Sequence, residues 1–465
     1  MLNTNRWLCL ILSLNSACSI APKAFTPPVA LPAAFSASGE ASLTERWWQS
    51  FNDPALNRLI EIALQQNLDL AATLDRLEQA KAVARITGSE LIPALNGNTG
   101  ITRVINNPAD GDSTTIDTFT LGLAASYELD LWGRIRAGTQ AAERNAQASA
   151  LDVHTAAITL SANIASAWYR LIEQRQQLAV LDEQIATNTQ NVEIVLARFQ
   201  GGQATVADVF QQSQVLEATK GDKFTVIATI RILENQLAVL TGQSPGTLTL
   251  SDSARFPALP PLPATGLSTE LIQRRPDILS AYNRLQAADL RIASAIADRF
   301  PKISLSTSIS TTAPDLQDFF NNWLATLAGN LVIPLIDGGR RIAEVDRNKA
   351  LTSEALNNYG QQILISLQEV ENALIQEKQQ HRRLRSLEQQ LRYLDGANNQ
   401  IRMRYIFGAI DFLRVLTSQI SQQSMQRSVI QAERELFDFR INLYRSLAGG
   451  FPLLPPGHHE TQNHG

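Results

Sequence analysis

Five histidines and two cysteines are the side chains of this 465-residue sequence that could ligate a metal or act as nucleophiles. His154 and His381 each fall inside a long helix-compatible run, and neither has a metal-ligating partner at position i+4. The other three lie in the polar C-terminal tail, at His458, His459 and His464. No phosphate-binding loop, nucleophile elbow or pair of catalytic acids stands out. We therefore expect no enzymatic activity, no cofactor and no metal site.

Both cysteines lie near the N-terminus, inside a pattern typical of a secretory signal. Arg6 precedes the apolar run Trp7 to Leu14, and small residues then lead to Cys18. Removal of residues 1–17 would leave one cysteine, so the mature chain could form no internal disulfide. One interpretation is an ordinary signal peptide with an inert Cys18. The other is a bacterial lipoprotein acylated on Cys18, because the preceding residues resemble the lipoprotein box, although Asn15 stands where that box usually carries leucine.

Charge and hydropathy argue against a nucleic-acid-binding protein and against a protein with membrane-spanning helices. The formal net charge is −4, so the chain has no strong basic field and nucleic acid is not an expected partner. The mean hydropathy is −0.09. No apolar run reaches the roughly 18 to 20 residues that a membrane-spanning helix needs, so the sequence predicts no such helix.

Apolar residues recur at heptad spacing in the segment 171–199, and this seam predicts a long helix that buries a narrow stripe. The same pattern returns 206 residues later, from Leu384 to Tyr405, and its register fails at Asn398, opposite Val192. The first seam consists of Leu171, Leu178, Leu181, Ile185, Val192, Val195 and Phe199. The second consists of Leu384, Leu387, Leu391, Leu394, Ile401 and Tyr405.

Both seams end at glycine, and each glycine is expected to turn a helical hairpin. Gly201 and Gly202 end the first seam, and Gly408 ends the second at the position equivalent to Gly202 (408−202 = 206). Each arm of about 60 residues would be about 90 Å long at 1.5 Å per residue. The sequence thus predicts two long helical hairpins, one in each half of the chain.

Period-two alternation identifies the strands. Phe119, Leu121 and Leu123 alternate with polar or small residues, with a partner strand expected before the turn at 106–112. In the second half, Ser304 to Ser310 alternate with apolar residues, and the segment 323–333 follows after a loop. The order of helix, two strands and long helical hairpin therefore occurs twice.

These patterns give the predicted organisation of the chain. A helix capped by Asp53, with Pro54 at its first position, is expected to continue to about Glu90. The predicted segments are a signal peptide (1–17), an extended tether (18–45), a first repeat (46–243), a proline-rich connector (244–267), a second repeat (268–450) and a disordered tail (451–465).

Four strands with one apolar and one polar face pose a physical problem. They leave two open edges, which favour further pairing, whereas a closed barrel needs about eight strands or more. Several copies must therefore contribute if a barrel forms. Taken alone, each clue also fits a cytosolic coiled-coil rod or an ordinary half-exposed sheet. The secretory signal, the duplication and the paired strands together favour an outer-membrane tube.

Several motifs of the sequence resemble a known family, the TolC-like outer-membrane efflux proteins, in the lipoprotein branch of OprM-, CusC- and NodT-like factors. The similarity covers nearly the whole mature chain. The matching segments are Cys18 to Pro22, Trp47-Trp48 to Asp53-Pro54, Tyr127 to Arg134, Arg274-Arg275-Pro276-Asp277-Ile278, Arg299-Phe300-Pro301 and Ile333 to Arg340.

The resemblance implies a fold and a set of partners. The fold would be mainly α with a transmembrane β-barrel: a homotrimer in which each chain gives four strands to one twelve-stranded barrel and two helical hairpins to a periplasmic tunnel. The turns at Gly201, Gly202 and Gly408 would be periplasmic tips that meet an adaptor protein. The adaptor would connect them to an inner-membrane pump of the RND type. The protein would be a passive exit duct for drugs or other small toxic compounds, anchored by Cys18 in outer-membrane lipid.

The resemblance also suggests a gate at the tips. The family often places a carboxylate on the helix after the second tip, and the matching position here is Thr417, with Asp411 and Arg414 one to two turns earlier. The first-repeat position equivalent to Arg414 is Asp208 (414−206 = 208). We hypothesise that Asp208 and Arg414 form ion pairs that hold the tips closed. Solvated surface charges are the alternative.

Two further functions stay open on the sequence alone. The first is the outer-membrane duct of a type I secretion system, which passes proteins instead of small molecules. The second is a structural coiled-coil protein of the envelope, which would form no barrel. The lipoprotein-like start and the Arg-Arg-Pro-Asp signature favour efflux.

Overall fold

A computed structural model of the chain describes residues 23–44, 46–251, 255–319 and 321–447. The predicted signal peptide, the lipidation candidate Cys18 and the predicted tail at 451–465 lie outside the described residues. No helix within the described ranges is both long and apolar enough to cross a membrane.

The elements of the first half follow the predicted order. A short 3₁₀ helix at Trp47–Phe51 precedes all of the α-helices and strands. These are α1 (Pro54–Gln66), α2 (Leu68–Ser89), β1 (Ala94–Asn106), β2 (Thr114–Leu129), α3 (Arg134–Gln200) and α4 (Val206–Leu240).

The second half repeats that order. Its elements are α5 (Ser268–Arg274), α6 (Pro276–Ala297), β3 (Lys302–Ala313), β4 (Trp323–Val332), α7 (Arg340–Ile406) and α8 (Phe412–Leu447). A 3₁₀ turn at Leu316–Asp318 lies between β3 and β4.

The predicted cap of the first helix is confirmed, but its predicted length is wrong. The Asp53 carboxylate accepts hydrogen bonds from the backbone N–H groups of Ala55 (3.0 Å) and Leu56 (3.1 Å), with Pro54 at the first helical position. The expected single helix is broken at Asn67, whose backbone is extended. Its amide donates to the Leu240 carbonyl (2.9 Å) and accepts from the Leu70 N–H (2.9 Å). These side-chain bonds cap two helix ends, so a break with no glycine or proline is stable.

The described chain divides into two compact units, each drawing on both sequence repeats. One contains residues 75–151, 279–361 and the described part of the segment ending at Pro28, and it holds the sheet. The other contains residues 29–74, 152–278 and 362–447, and it holds both helical turns. In this second unit the tether and the connector pair, because Gly39 N–H donates to the Pro263 carbonyl (3.0 Å).

The sheet is antiparallel throughout, in the order β1-β2-β3-β4. Phe119 of β2 pairs with both Ile101 of β1 and Ala313 of β3, so the two halves of the chain join at β2 and β3. Thr311 of β3 pairs with Trp323 of β4.

This register separates the side chains into two faces, because alternate residues of a strand point to opposite sides. The first face is mostly apolar and includes Ile101, Phe119, Leu121, Leu123, Leu305, Ile309, Leu327 and Leu331. The opposite face is mostly small or polar and includes Asn98, Thr118, Thr120, Ser304, Ser306, Ser308, Ser310 and Thr326.

The core of the second unit is aromatic and contains buried polar clusters. Trp47 stacks on Tyr444 with ring centroids 5.5 Å apart, and the indole N–H of Trp168 donates to Asp53 (2.7 Å). Arg440 of α8 forms a bidentate pair with Glu377 of α7, and their side chains are 3% and 6% exposed.

Another buried cluster is built on the Arg-Arg-Pro-Asp signature. Arg275 donates to Asp277 (3.0 and 2.6 Å), to Glu369 (2.8 Å) and to the Ser446 carbonyl (2.9 Å). Burial alone would raise the pKa of Asp277, but hydrogen bonds and charge from Arg275 leave that pKa below its usual value. The signature therefore joins the start of α6 to α7 and α8, which is a structural role.

Candidate functional site

The first helical turn begins where α3 ends, and it contains two glycines with different backbone geometry. Gly201 donates to the Ala197 carbonyl (3.0 Å), continuing the helical pattern. Gly202 has φ +70°, and Gln203 N–H donates back to the Arg198 carbonyl (2.8 Å). A left-handed residue followed by a bond back into the last turn is a common way to end a helix.

The second turn repeats this geometry at the end of α7. Gly408 has φ +72°, and the Ala409 N–H donates to the Arg404 carbonyl (2.8 Å). Asp411 immediately precedes the following helix, α8, and its carboxylate accepts a hydrogen bond from the Arg414 N–H (3.1 Å). The expected glycine turns of both hairpins are thus present in the structure, and we call the segments 199–208 and 405–414 the first and second tips.

Gly202→Ala is expected to destabilise the first tip by about 1 to 2 kcal/mol, because a Cβ is unfavourable at positive φ. Gly201→Ala is the matched control, since Gly201 has no positive φ, and its effect should stay within about 0.5 kcal/mol. Hydrogen exchange of the tip amides measures the difference. Equal exchange rates in the two variants would contradict the assigned backbone geometry.

An apolar cluster lies under the two tips and joins all four helices of the hairpins. Its buried members are Val195, Val215, Phe412, Val415 and Leu416, with Ile401 and Tyr405 packed against them. The guanidinium of Arg198 lies 4.4 Å from the centre of the Tyr405 ring. This cation–π contact ties the end of α3 to the end of α7.

The structure gives the four gate candidates local roles at helix starts. Asp208 accepts from the N–H (2.8 Å) and hydroxyl (2.9 Å) of Thr205, which forms a capping box at the start of α4. The Thr417 hydroxyl donates to the Leu413 carbonyl (2.9 Å). Within the described part of one chain, no ion pair joins Asp208 to Arg414, whose side chain is exposed. Any pair between them would have to join two chains.

The seam above the tips differs from the one predicted. Leu181 and Val195 are buried, but Leu178, Ile185 and Val192 are only half-buried, and Phe199 is 41% exposed. The line that faces the other helices also contains polar residues, and its buried amides are Gln177, Gln184 and Asn188. Amide side chains can occupy a helix interface when they are hydrogen-bonded, and this alternative was missed because glutamine and asparagine count as surface residues in a heptad pattern.

The two-faced sheet is the second functional surface. One charged pair interrupts its apolar face, where Arg103 donates to Asp117 (2.6 and 2.7 Å). These residues lie directly opposite each other in the register, next to the turn between β1 and β2. The charged pair therefore marks a polar position on this face near the turn between β1 and β2.

A sheet with one apolar face, joined to two long helical hairpins that turn on glycine, is typical of outer-membrane exit ducts. The family model described as "Outer membrane efflux protein" matches residues 59–243 and 267–449. The chain belongs to the outer membrane efflux protein family.

Similar proteins support this assignment over the whole length. The pyoverdine export outer membrane protein OpmQ of Pseudomonas aeruginosa is 31% identical, with 95% of this chain and 97% of that protein aligned. The cation efflux system protein CusC of Escherichia coli is 28% identical, over 95% of this chain and 98% of that protein. The solved outer-membrane channel OprN superposes with a TM-score of 0.84 at 28% identity, covering 92% of this chain and 99% of that one.

Membership of this family confirms the predicted fold class, the outer-membrane location and the efflux function. For the family, it also confirms assembly as trimers that work with a periplasmic adaptor and an inner-membrane pump. The family consists of channel proteins and not of enzymes.

Proposed function

We propose that three copies of this chain form one exit duct, a passive conduit without catalytic activity of its own. The duct carries small toxic compounds from a periplasmic adaptor and an RND-type pump to the outside. The observation that carries the proposal is the four-stranded sheet, whose edge strands in the described chain are β1 and β4. Four strands cannot close a barrel, whereas three copies supply twelve (3 × 4 = 12).

The faces of the sheet support this arrangement. In a closed barrel the face with Leu123 and Ile309 would meet lipid, and the serine-rich face would line the water-filled lumen. Two aligned relatives are named for pyoverdine export and cation efflux, which supports a small solute, not a secreted protein, as the cargo.

The two tips are the proposed contact with the adaptor. Gly201, Gly202 and Gly408 lie at the ends of the hairpins, and next to them Phe407 is 78% exposed. Neighbouring apolar side chains of the second tip are exposed as well, and such an apolar patch favours a protein partner. We also propose that a lipid attached to Cys18 anchors the protein in the outer membrane.

The mass of the protein extracted from outer membranes in mild detergent, corrected for bound detergent, tests the assembly. Three chains per particle in the outer-membrane fraction are expected. A monomer or dimer in solution would mean that the strands form no shared barrel, and a coiled-coil rod would become the better account.

The gate hypothesis predicts that Arg414→Glu opens the tips. Each exposed ion pair contributes about 0 to 1 kcal/mol, so only three symmetry-related pairs between Arg414 and Asp208 of neighbouring chains could hold a closed aperture. We expect increased uptake of large antibiotics and larger single-channel conductance. Arg402→Glu, an exposed arginine on α7, makes the same charge change and should have no effect. Unchanged leakage in Arg414→Glu would exclude the gate.

A further inference from the structure

A buried hub of amide side chains joins the two hairpins above the tips. Asn188 of α3 is fully buried. Its amide donates to Thr219 of α4 (2.9 Å) and to Gln423 of α8 (3.4 Å). Its carbonyl oxygen accepts from Gln423 (3.0 Å) and from Gln419 of α8. One asparagine of α3 therefore contacts two other helices, α4 and α8, at one level.

The hub extends along the interface between α3 and α8. Asn191 donates to Gln419 (2.8 Å), and Gln184 donates to Gln426 (2.9 Å) and to the Gln423 carbonyl (3.1 Å). Gln177 donates to the Arg427 carbonyl (2.9 Å). The amides of the hub are hydrogen-bonded to one another or to backbone groups. A buried polar cluster is stable only under this condition.

The equivalent positions of the second hairpin do not form such a hub. The residue that matches Asn188 in α7 is Leu394 (188+206 = 394), and it is only half-buried. Asn398 is buried in α7, but its amide contacts only Gln422 of α8, within the same hairpin. A covalent turn already fixes the register of α7 on α8. The packing of one hairpin on the other has no such constraint.

We propose that Asn188 is a positioning residue that sets the axial register of the second hairpin on the first. Apolar side chains on long helices accept several registers, because neighbouring turns offer similar contacts. A buried polar side chain accepts one register, since a shift by one turn would leave its bonds unmade. This register keeps the two tips at the same height along the helix axes. Only the importance of that alignment depends on the proposed function as a duct.

Engineered disulfides test the register in the full-length protein. Arg198→Cys with Tyr405→Cys reports the observed register, because these side chains are in contact across the hairpins. Arg198→Cys with Arg402→Cys reports a displacement of about one turn. The ratio of the two cross-linking rates under mild oxidant is measured, and we expect at least a roughly tenfold preference for the first pair.

The decisive variant replaces the hub by an apolar layer: Asn188→Leu, Gln419→Leu and Gln423→Leu together. Thr219 stays satisfied, because its hydroxyl also donates to the Val215 carbonyl (2.8 Å). We expect this variant to unfold at a temperature equal to or above that of the parent, yet to lower the cross-linking ratio at least about threefold. The matched control, Asn398→Leu with Gln422→Leu, should leave the ratio unchanged.

The outcomes separate this proposal from the proposed function. An unchanged ratio in a folded apolar-layer variant would overturn the positioning role. A lower unfolding temperature with an unchanged ratio would show that the hub only stabilises the bundle. The ratio is measured within one chain, so it does not depend on whether three chains assemble. Failure of the duct would appear in the detergent mass and not in the ratio.

Discussion

Arg440→Met should destabilise the chain more than any other single change discussed for the helical part. It leaves the Glu377 carboxylate buried without its guanidinium partner, to which it is bonded at 2.8 and 2.5 Å. Arg440 also donates to the carbonyls of Pro260 and Pro261 (2.8 Å to the latter), so the connector loses one of its contacts with the core. Removing one member of a buried pair costs about 3 to 5 kcal/mol. The thermal unfolding midpoint in mild detergent and the amount in outer membranes measure the loss.

Two further variants distinguish a broken pair from a general effect of substitution. The double variant Glu377→Gln with Arg440→Met should recover part of the loss, because no unpaired carboxylate remains buried. Lys220→Met removes the exposed pair with Glu217 and should cost at most about 1 kcal/mol. If Arg440→Met unfolds at the same temperature as Lys220→Met, the buried pair does not have the assigned role.

Ile309→Arg is the second change with a large expected effect, and it acts on the sheet. Ile309 lies near the middle of the apolar face, between Leu123 of β2 and Ala325 of β4. An arginine facing lipid at mid-membrane costs about 2 to 4 kcal/mol, so a trimer with three of them would lose about 6 to 12 kcal/mol. We expect no trimer in the outer-membrane fraction, measured by native electrophoresis after detergent extraction.

The neighbouring residue provides the control. Ser308→Arg makes a comparable substitution one residue away, on the opposite face next to Ala124 and Thr326. It should assemble normally and change the ion selectivity of the channel, because that face lines the proposed lumen. Loss of the trimer in Ser308→Arg but not in Ile309→Arg would reverse the assignment of the two faces.

The strands and turns could be predicted because their signals are local. Alternation in Ile303 to Ile309 identifies a two-faced strand from neighbouring residues alone, and Gly202 and Gly408 mark turns that need positive φ. The pairing of β2 with β3 had no local signal, since it joins segments separated by a whole helical hairpin. The sequence therefore predicted two separate pairs of strands, and their union through β2 and β3 is seen only in the structure.

The interior of the hairpins was harder to predict, for a physical reason. A heptad pattern counts Leu178 and Ile185 as core and Gln184 and Asn188 as surface, whereas the structure buries the amides more deeply. Their burial depends on partners such as Gln423 on a distant helix, which no spacing rule reveals. Likewise, Asp208 is a capping residue as well as a gate candidate, because Thr205 lies three residues before it.

The pairing of β2 with β3 also determines when this protein can fold. Phe119 reaches its partner Ala313 only after 194 further residues have been made (313−119 = 194). Until then the first half offers a two-stranded ribbon, which is marginal in water and has an open edge that can pair with other chains. Contacts between such distant segments form slowly. The chain must therefore be translocated at least as far as Val332, the end of β4, before its sheet can form, and the earlier half depends on protection from aggregation during that delay.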